Sequence, residues 1–330
     1  MKKMFGLTAV CVAVLAMAGV AQANDFPIKD KPITLVVPFA AGGPTDRVAR
    51  DLAESLRKPL GASAVVIDNV GGAGGTIGAA KVAKAVNDGH TLLLHHIGMA
   101  TAPALYRKLP FNVLQDFEFL GMVNDVPMTL IGRPTLPANN YKELSAWVEA
   151  NKGKINLGNA GLGAASHLCG LLFQSALKVD MTTVPYKGTA PAMNDLMGGQ
   201  IDLMCDQTTN TTSQIEAKTV KAFAVTTAKR LSTPALKDLP TLNESGVKGF
   251  EVTIWHGLYA PKGTPADVVN KINAALKAAL KDPEFVKKQQ GLGAVVVTDK
   301  RSDAAEHKKF VAAEIAKWGP IIQAAGVYAD

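Results

Sequence analysis

The segment KPITLVVPFAAGGPTDRVARDLAESLRKPLG, residues 31–61, decides the fold, because it predicts a strand, a loop and a helix in immediate succession. Ile33 to Val37 is short, apolar and rich in β-branched residues, as buried strands are. From Thr45 onward apolar residues recur at helical spacing, and Gly61 ends the helix. Short apolar strands and amphipathic helices continue to alternate along the chain. The sequence therefore predicts parallel, doubly wound α/β sheets covered on both faces.

A domain boundary is predicted within residues 117–134. The runs Phe117–Val123 and Met128–Ile131 both have the character of strands, and no helical pattern separates them. The alternation then resumes, and residues 250–261 again predict extended chain before two C-terminal helices. A chain of 330 residues is long enough for two domains with their own cores.

Residues 1–23 have the features of a secretory signal peptide. Lys2 and Lys3 form a basic start, an apolar run follows, and the small-residue sequence Ala21-Gln22-Ala23 predicts cleavage after Ala23. The alternative is an uncleaved membrane anchor, for which the apolar run is marginal in length. Cys11 lies inside the run and not at the cleavage site, which argues against a lipid anchor. We therefore expect a periplasmic protein.

Composition argues against nucleic acid as a partner. The formal net charge is +7, but the basic residues are scattered, and aromatic residues make up only 6% of the chain.

Export permits a disulfide between Cys169 and Cys205. The favoured interpretation is nevertheless two buried, unpaired thiols, because one pair in so long a chain is not a disulfide framework. The sequence does not decide between the disulfide and the two unpaired thiols.

The sequence contains no G-x-S-x-G nucleophile motif, no P-loop and no H-E-x-x-H metal motif. In the glycine-rich turn VGGAGGTIG, residues 70–78, the third glycine of a dinucleotide fingerprint would fall at Ile77. The turn is better explained as a tight strand-to-helix connection that needs positive φ angles. His95 and His96 are adjacent on a strand end and point to opposite sides, so only one of them can face a given pocket. We expect no enzymatic activity, no cofactor and no metal site.

Two loops carry a physical mechanism for binding an anion. FAAGGPTD, residues 39–46, follows the first strand, and GNAGLGAASH, residues 158–167, follows a strand in the second half. Each contains glycines that let a ligand approach the backbone, and each leads into a helix whose free N–H groups favour negative charge. Open α/β sheets bind ligands at the carboxyl ends of their strands. The sequence thus predicts a cleft for a small carboxylate.

Two further sites have alternative interpretations. Asp206 ends a strand, where it could bond a ligand hydroxyl, amine or protonated acid, or could cap the segment after it. Tyr186 and Lys187 could contribute to a pocket, or could form a turn before a helix with Lys187 in solvent.

Motifs along nearly the whole chain resemble the Bug family of periplasmic solute receptors, which serve tripartite tricarboxylate transporters. The resemblance implies a type II periplasmic-binding-protein fold, in which two lobes joined by crossing strands enclose a ligand cleft. It also implies delivery of the solute to membrane permease subunits made by other chains. The motifs that carry it are PFAAGGPTDRVAR, NVGGAGGTIGAAKVAKA, DGHTLLL, PALYRKLPF, GNAGLGAASHLCG, PYKGTAPAMNDLMGGQIDL, LPTLNESGVKGF and PKGTPADVVNKINAAL.

The resemblance also implies a ligand-binding set. The two loops would hold one carboxylate, and Asp206 would face the other end of the ligand. After LLL the chain departs from the family pattern, and a histidine and Met99 in the pocket would suit a bulkier, aromatic acid such as terephthalate. The implied residues are Phe39, Ala40, Gly42, Gly43, Pro44, Thr45 and Asp46 in the first loop, Asn159, Ala160, Gly161, Gly163, Ala165, Ser166 and His167 in the second, and His95, His96, Met99 and Asp206.

The leading hypothesis is a monomeric binding protein that closes like a hinge on its ligand. Lobe 1 would comprise residues 24–125 and 250–330, and lobe 2 residues 126–249. The same fold could instead act as a sensor that presents its closed form to a signalling protein. A secreted enzyme acting on organic acids is the remote alternative, and no nucleophile–base pair in the sequence supports it.

Overall fold

The computed structural model describes residues 26–326, 328 and 329. The predicted signal peptide, with Cys11 and the cleavage site, lies outside these residues. Of the helices in the described part, none is long and apolar enough to cross a membrane.

Strands and helices alternate in the predicted order. The strands are β1 (Ile33–Val37), β2 (Val65–Asn69), β3 (Thr91–His96), β4 (Phe117–Gly132), β5 (Asn156–Asn159), β6 (Thr182–Pro185), β7 (Leu203–Gln207), β8 (Lys221–Val225), β9 (Thr253–Pro261) and β10 (Val295–Val296). The helices are α1 (Pro44–Leu60), α2 (Thr76–Ala83), α3 (Gly98–Leu105), α4 (Tyr141–Ala150), α5 (Ala165–Leu177), α6 (Thr189–Met197), α7 (Thr208–Glu216), α8 (Ala266–Ala279), α9 (Pro283–Gly291) and α10 (Ala304–Ala324).

The strands form one mixed sheet in the order β2-β1-β3-β9-β4-β7-β5-β6, with β8 and β10 also paired to β4. β1 is parallel to β2 and β3, and β5 is parallel to β6 and β7. Alternate side chains of β1 enter different cores: Leu35 and Val37 pack into one apolar cluster, and Val36 into another. The sheet is therefore covered on both faces, and the predicted α/β class is confirmed.

β4 joins the two halves of the sheet. Its first part pairs with β9, from Phe117 opposite Pro261 to Pro127 opposite Thr253, and its end pairs with β7 and β8. The prediction of two separate strands is wrong here. Polar residues and Pro127 interrupt the apolar pattern, but antiparallel partners hold the backbone extended throughout.

We call the part of the sheet around β1, β3 and β9 lobe 1, and the part around β5, β6 and β7 lobe 2. β4 runs from one lobe into the other without a break. The predicted division of the chain after residues 125 and 249 stays a prediction.

Cys169 and Cys205 form a disulfide, with their Cα atoms 6.0 Å apart. The favoured interpretation of two unpaired thiols is wrong, although both residues are buried as expected. Cys169 lies on α5 and Cys205 on β7, and α5 packs directly on β7. The bond therefore fixes the helix that begins at the second loop to the strand that ends beside Asp206.

We expect the variant Cys169→Ser/Cys205→Ser to be less stable than the wild type by about 2–4 kcal/mol, because the bond restricts the unfolded chain across 36 residues. Urea unfolding monitored by circular dichroism measures this difference. Dithiothreitol should destabilise the wild type by a similar amount and leave the variant unchanged. Equal midpoints for wild type and variant under oxidising conditions would contradict the account.

Candidate ligand-binding site

A narrow cavity lies between the closed lobes at the carboxyl ends of β1, β3, β5 and β7. Its empty space, part of which is continuous with solvent, is about 230 Å³. Its wall comprises Phe39, Pro44, Thr45, His96, Ala160, Ala165, Ser166, Thr189, Asp206 and Gln207.

Four helices begin beside this cavity, α1 from lobe 1 and α5, α6 and α7 from lobe 2. Their N-cap residues are Gly43, Ala164, Gly188 and Gln207, and none of these four side chains accepts a hydrogen bond from its helix. The first N–H groups of a helix have no partner within it, and they carry the positive end of the helix dipole. Both lobes therefore direct groups that favour an anion at the same space.

In the first loop, Asp46 is occupied by protein partners. Its carboxylate accepts hydrogen bonds from the Gly42 N–H at 2.8 Å, from Arg50 Nε at 2.9 Å and from Asn69 Nδ2 at 3.0 Å. Burial alone would raise the pKa of Asp46, but these hydrogen bonds bring it below its ordinary value. Asp46 therefore stabilises the loop and does not line the cavity. Among the predicted residues of this loop, Phe39, Pro44 and Thr45 form the cavity wall.

The second loop is held by its own side chains in the same way. Asn159 Oδ1 accepts from the Gly161 N–H at 2.9 Å, and His167 Nδ1 accepts from the Gly163 N–H at 3.2 Å. Ser166 Oγ accepts from the Ala160 N–H at 2.8 Å, so its own proton is free to be donated into the cavity. Burial lowers the pKa of His167 to about 4, which keeps its ring neutral.

The two adjacent histidine rings lie on the same side, with their centroids 5.0 Å apart and both against Phe39, so the prediction of opposite directions is wrong. Only His96 lies in the cavity wall, and His95 packs beside it with its Nδ1 accepting from the His96 N–H at 2.8 Å. His96 Nδ1 accepts from the Gly98 N–H at 2.9 Å, and burial lowers the pKa of His96 to about 3. The neutral ring therefore carries its proton on Nε2. Met99 is fully buried in the hydrophobic core and lies outside the cavity wall.

Asp206 presents an unpartnered oxygen at the end of β7. Its side chain is 1% exposed; Oδ2 accepts from Asn210 Nδ2 at 2.6 Å, and Oδ1 has no partner. Burial raises the pKa of Asp206 to about 7. The capping alternative is met only in part, because α7 does begin after this strand but its N-cap residue is Gln207.

Thr189 and Gln207 belong to the wall and were missed by sequence reasoning. Thr189 Oγ1, Gln207 Oε1 and Asp206 Oδ1 are buried and make no hydrogen bond of good geometry, although Thr189 is near enough to Asp206 to lower its pKa. Unpartnered buried polar atoms are rare in folded proteins, and here three of them line one cavity. The position of Thr189 at the start of α6, one residue after Gly188, is the sequence signal that could have identified it.

The lobes meet through backbone and hydroxyl groups around the cavity. The Ala40 N–H donates to the Lys187 carbonyl at 3.0 Å, Tyr106 Oη to the Leu162 carbonyl at 2.8 Å, and Thr101 Oγ1 to the Gly163 carbonyl at 2.7 Å.

The glycine-rich turn, residues 70–78, takes part in this contact between the lobes. Gly72, Gly74 and Gly75 have positive φ, as expected for a tight connection. In addition, a side chain at Gly74 would overlap the Leu162 carbonyl oxygen, and one at Gly71 would lie 2.6 Å from the Lys187 carbonyl oxygen. The missing side chains therefore let the lobes close backbone to backbone.

The family model described as tripartite tricarboxylate transporter family receptor matches residues 48–327. The chain belongs to this receptor family. The resemblance stated from the motifs is thereby confirmed, as is the periplasmic-binding-protein fold, which several solved structures share over nearly their whole length.

The periplasmic binding protein BugD is 53% identical to this receptor and superimposes on it with a TM-score of 0.88. The match covers 92% of this chain and 100% of BugD. MatC from Rhodopseudomonas palustris, solved with bound malate, is 38% identical, with 89% of this chain and 100% of MatC covered and a TM-score of 0.84. A further R. palustris protein, solved with adipate, is 34% identical, with 92% and 99% covered and a TM-score of 0.85. These neighbours are binding proteins for small solutes.

Within the described residues, the side chains of His, Cys, Asp and Glu form no group of three that could hold a metal ion. The cavity wall instead combines N–H donors from four helix starts with unpartnered side-chain oxygens. Such a surface can hold a small acid.

We expect Asp206→Asn to stabilise the ligand-free protein at alkaline pH. Because the folded-state pKa of Asp206 lies near 7 and its ordinary value is 3.8, the folded protein retains a proton that the unfolded chain loses. Stability therefore falls as pH rises from about 4 to 7, by at most about 4 kcal/mol. Melting temperatures of the two proteins should coincide at pH 4 and diverge by pH 8, with the variant higher. A wild-type advantage at pH 8 would contradict this.

Proposed function

We propose that this protein is a periplasmic receptor that captures a compact organic carboxylate by closing its lobes and passes it to the membrane permease subunits of a tripartite tricarboxylate transporter. The protein acts as a monomer and performs no chemistry on the ligand. Export depends on the signal peptide predicted over residues 1–23.

The observation that carries the proposal is the convergence of four uncapped helix starts on one cavity between the closed lobes. One of these helices belongs to lobe 1 and three to lobe 2. A carboxylate that accepts from α1 and α5 together can do so only when the lobes approach, and this differential contact selects the closed state. Ligand binding and lobe closure therefore occur together.

The geometry favours an aliphatic acid of a few carbons. The cavity is small, and Met99, which was expected to widen the pocket for an aromatic acid, lies in the core. MatC was solved with malate and its relative with adipate, both of them flexible aliphatic dicarboxylates. Terephthalate, a rigid aromatic acid, would require the lobes to stay further apart than an aliphatic acid of a few carbons does.

A thermal-shift screen of residues 24–330 tests the ligand class. Malate, succinate, adipate and terephthalate are compared at equal concentrations, because a ligand of the folded state raises the melting temperature by mass action. We expect the aliphatic acids to produce the larger shifts. A shift with terephthalate alone would refute the compact-acid proposal, and no shift with any carboxylate would refute the receptor proposal.

Gly43→Val tests closure. The φ of Gly43 is −83°, which valine can adopt, but a Cβ there would lie 3.3 Å from Thr189 Oγ1 of the opposite lobe. The larger side chain should hold the cleft open, so that ligand affinity falls at least about tenfold while the melting temperature of the free protein is retained. Isothermal titration calorimetry with the best acid from the screen measures the affinity.

Gly319→Val is the matched control, because it lies in α10 and a Cβ at Gly319 has no atom within 4 Å. It should bind as the wild type does. Unchanged affinity in Gly43→Val would contradict the closure mechanism.

A further inference from the structure

A buried chain of hydrogen bonds leads from the cavity wall to the crossing strands. Thr45 Oγ1 lies 3.2 Å from Nε2 of His256, and His256 Nδ1 lies 2.9 Å from Asn124 Oδ1. His256 is on β9 and Asn124 on β4, and the two residues are directly opposite each other in the strand pairing. Both are completely buried, so water cannot supply alternative partners.

The chain continues to a carboxylate. Asn124 Nδ2 donates to Gln289 Oε1 at 2.8 Å, and Gln289 Nε2 donates to Asp51 Oδ2 at 2.9 Å. Lys288 Nζ lies 3.9 Å from the other oxygen of Asp51. Asp51 and Thr45 are both on α1, so the five residues link this helix back to itself through both crossing strands and α9.

We call this chain of hydrogen bonds from Asp51 to Thr45 the relay. The carboxylate of Asp51 sets the direction of every hydrogen bond in it. Burial raises the pKa of Asp51 above its ordinary value, whereas the charges of Lys288 and Arg47 act to lower it and favour the ionised form.

An ionised carboxylate can only accept, so Gln289 turns its amide nitrogen toward Asp51 and its oxygen toward Asn124. Asn124 must then donate to Gln289 and present its own oxygen to His256.

The direction carries through the imidazole to the cavity wall. His256 donates from Nδ1, and as a neutral ring it has a bare Nε2 that accepts the proton of Thr45. Burial, together with the nearby His96, lowers the pKa of His256 and keeps its ring neutral. The hydroxyl proton of Thr45 is therefore committed to the protein.

We infer that Asp51, acting through Gln289, Asn124 and His256, makes the Thr45 hydroxyl a pure hydrogen-bond acceptor toward the cleft, so that the receptor selects acids that carry a hydrogen-bond donor, such as a hydroxyl, over unsubstituted acids. This rests on the proposed function. The unpartnered oxygen Gln207 Oε1 in the same wall agrees with it, because it too can accept a hydrogen bond from a ligand. Asp51 is a positioning residue, and Thr45 is the specificity-determining group.

The imidazole spectrum tests the relay without any ligand. Nitrogen-15 NMR of residues 24–330 distinguishes protonated from bare ring nitrogens. We expect the assigned His256 to carry its proton on Nδ1 alone at neutral pH. Asp51→Asn, whose amide oxygen can still accept from Gln289, should keep this tautomer. In Asp51→Ala, His256 should populate both neutral tautomers. A proton on Nε2 in the wild type, or an unchanged single tautomer in Asp51→Ala, would overturn the inference.

Calorimetry with L-malate and succinate, which differ by one hydroxyl, tests the selectivity. We expect malate to bind at least about tenfold more tightly, because a buried acceptor left unpaired is costly. Thr45→Ser should keep this ratio, and Thr45→Val should bring it close to one. A wild-type ratio near one, or a ratio unaffected by Thr45→Val, would overturn the inference. If neither acid binds, the compact-acid proposal fails, while the imidazole spectrum still decides the relay.

Discussion

Backbone N–H groups at the start of a helix need a partner, and the cleft of this receptor is built from four helix starts that leave theirs available. Two helices elsewhere are capped by a side chain: Asn140 accepts from the N-terminus of α4, and Asp282 from that of α9. The helices α2, α3, α8 and α10 also lack a side-chain cap, so it is the convergence of four uncapped starts on one cavity that is particular to the cleft. Beside the cleft, the N-cap residues accept no such bond, and the polar side chains of both loops hold backbone turns instead. The dipoles and N–H groups are thus left for an anion, with no Lys or Arg in the cavity wall.

Closure depends on how closely two backbones can approach. Gly71 and Gly74 of lobe 1 contact carbonyl oxygens of lobe 2, and Gly188 of lobe 2 contacts the backbone of Ala40. The glycine-rich turn that superficially suggests a nucleotide site is therefore part of the surface on which the lobes meet. The proposed ligand would be enclosed by main chain on both sides, so specificity would come from the few side chains in the wall.

Local patterns were enough to predict the α/β alternation and the position of the two loops and of Asp206 at strand ends beside one cavity, because strand ends, glycines and helix starts follow each other directly in the sequence. The remaining features depend on pairings between distant segments. The disulfide needs α5 to pack on β7, the continuity of β4 needs β9 beside it, and Thr189 reaches the cavity only because lobe 2 closes on Gly43. The relay from Asp51 to Thr45 joins residues of four separate elements, α1, β4, β9 and α9, and no spacing in the sequence predicts it.

The central claim is that one anion is held by helix starts of both lobes at once. Amide hydrogen exchange of residues 24–330, with and without a saturating compact acid such as malate, tests it most directly. The account predicts slower exchange at the first turns of α1, α5, α6 and α7 together when the acid binds. Binding accompanied by protection in only one lobe, or by protection elsewhere while these four first turns stay unchanged, would contradict it.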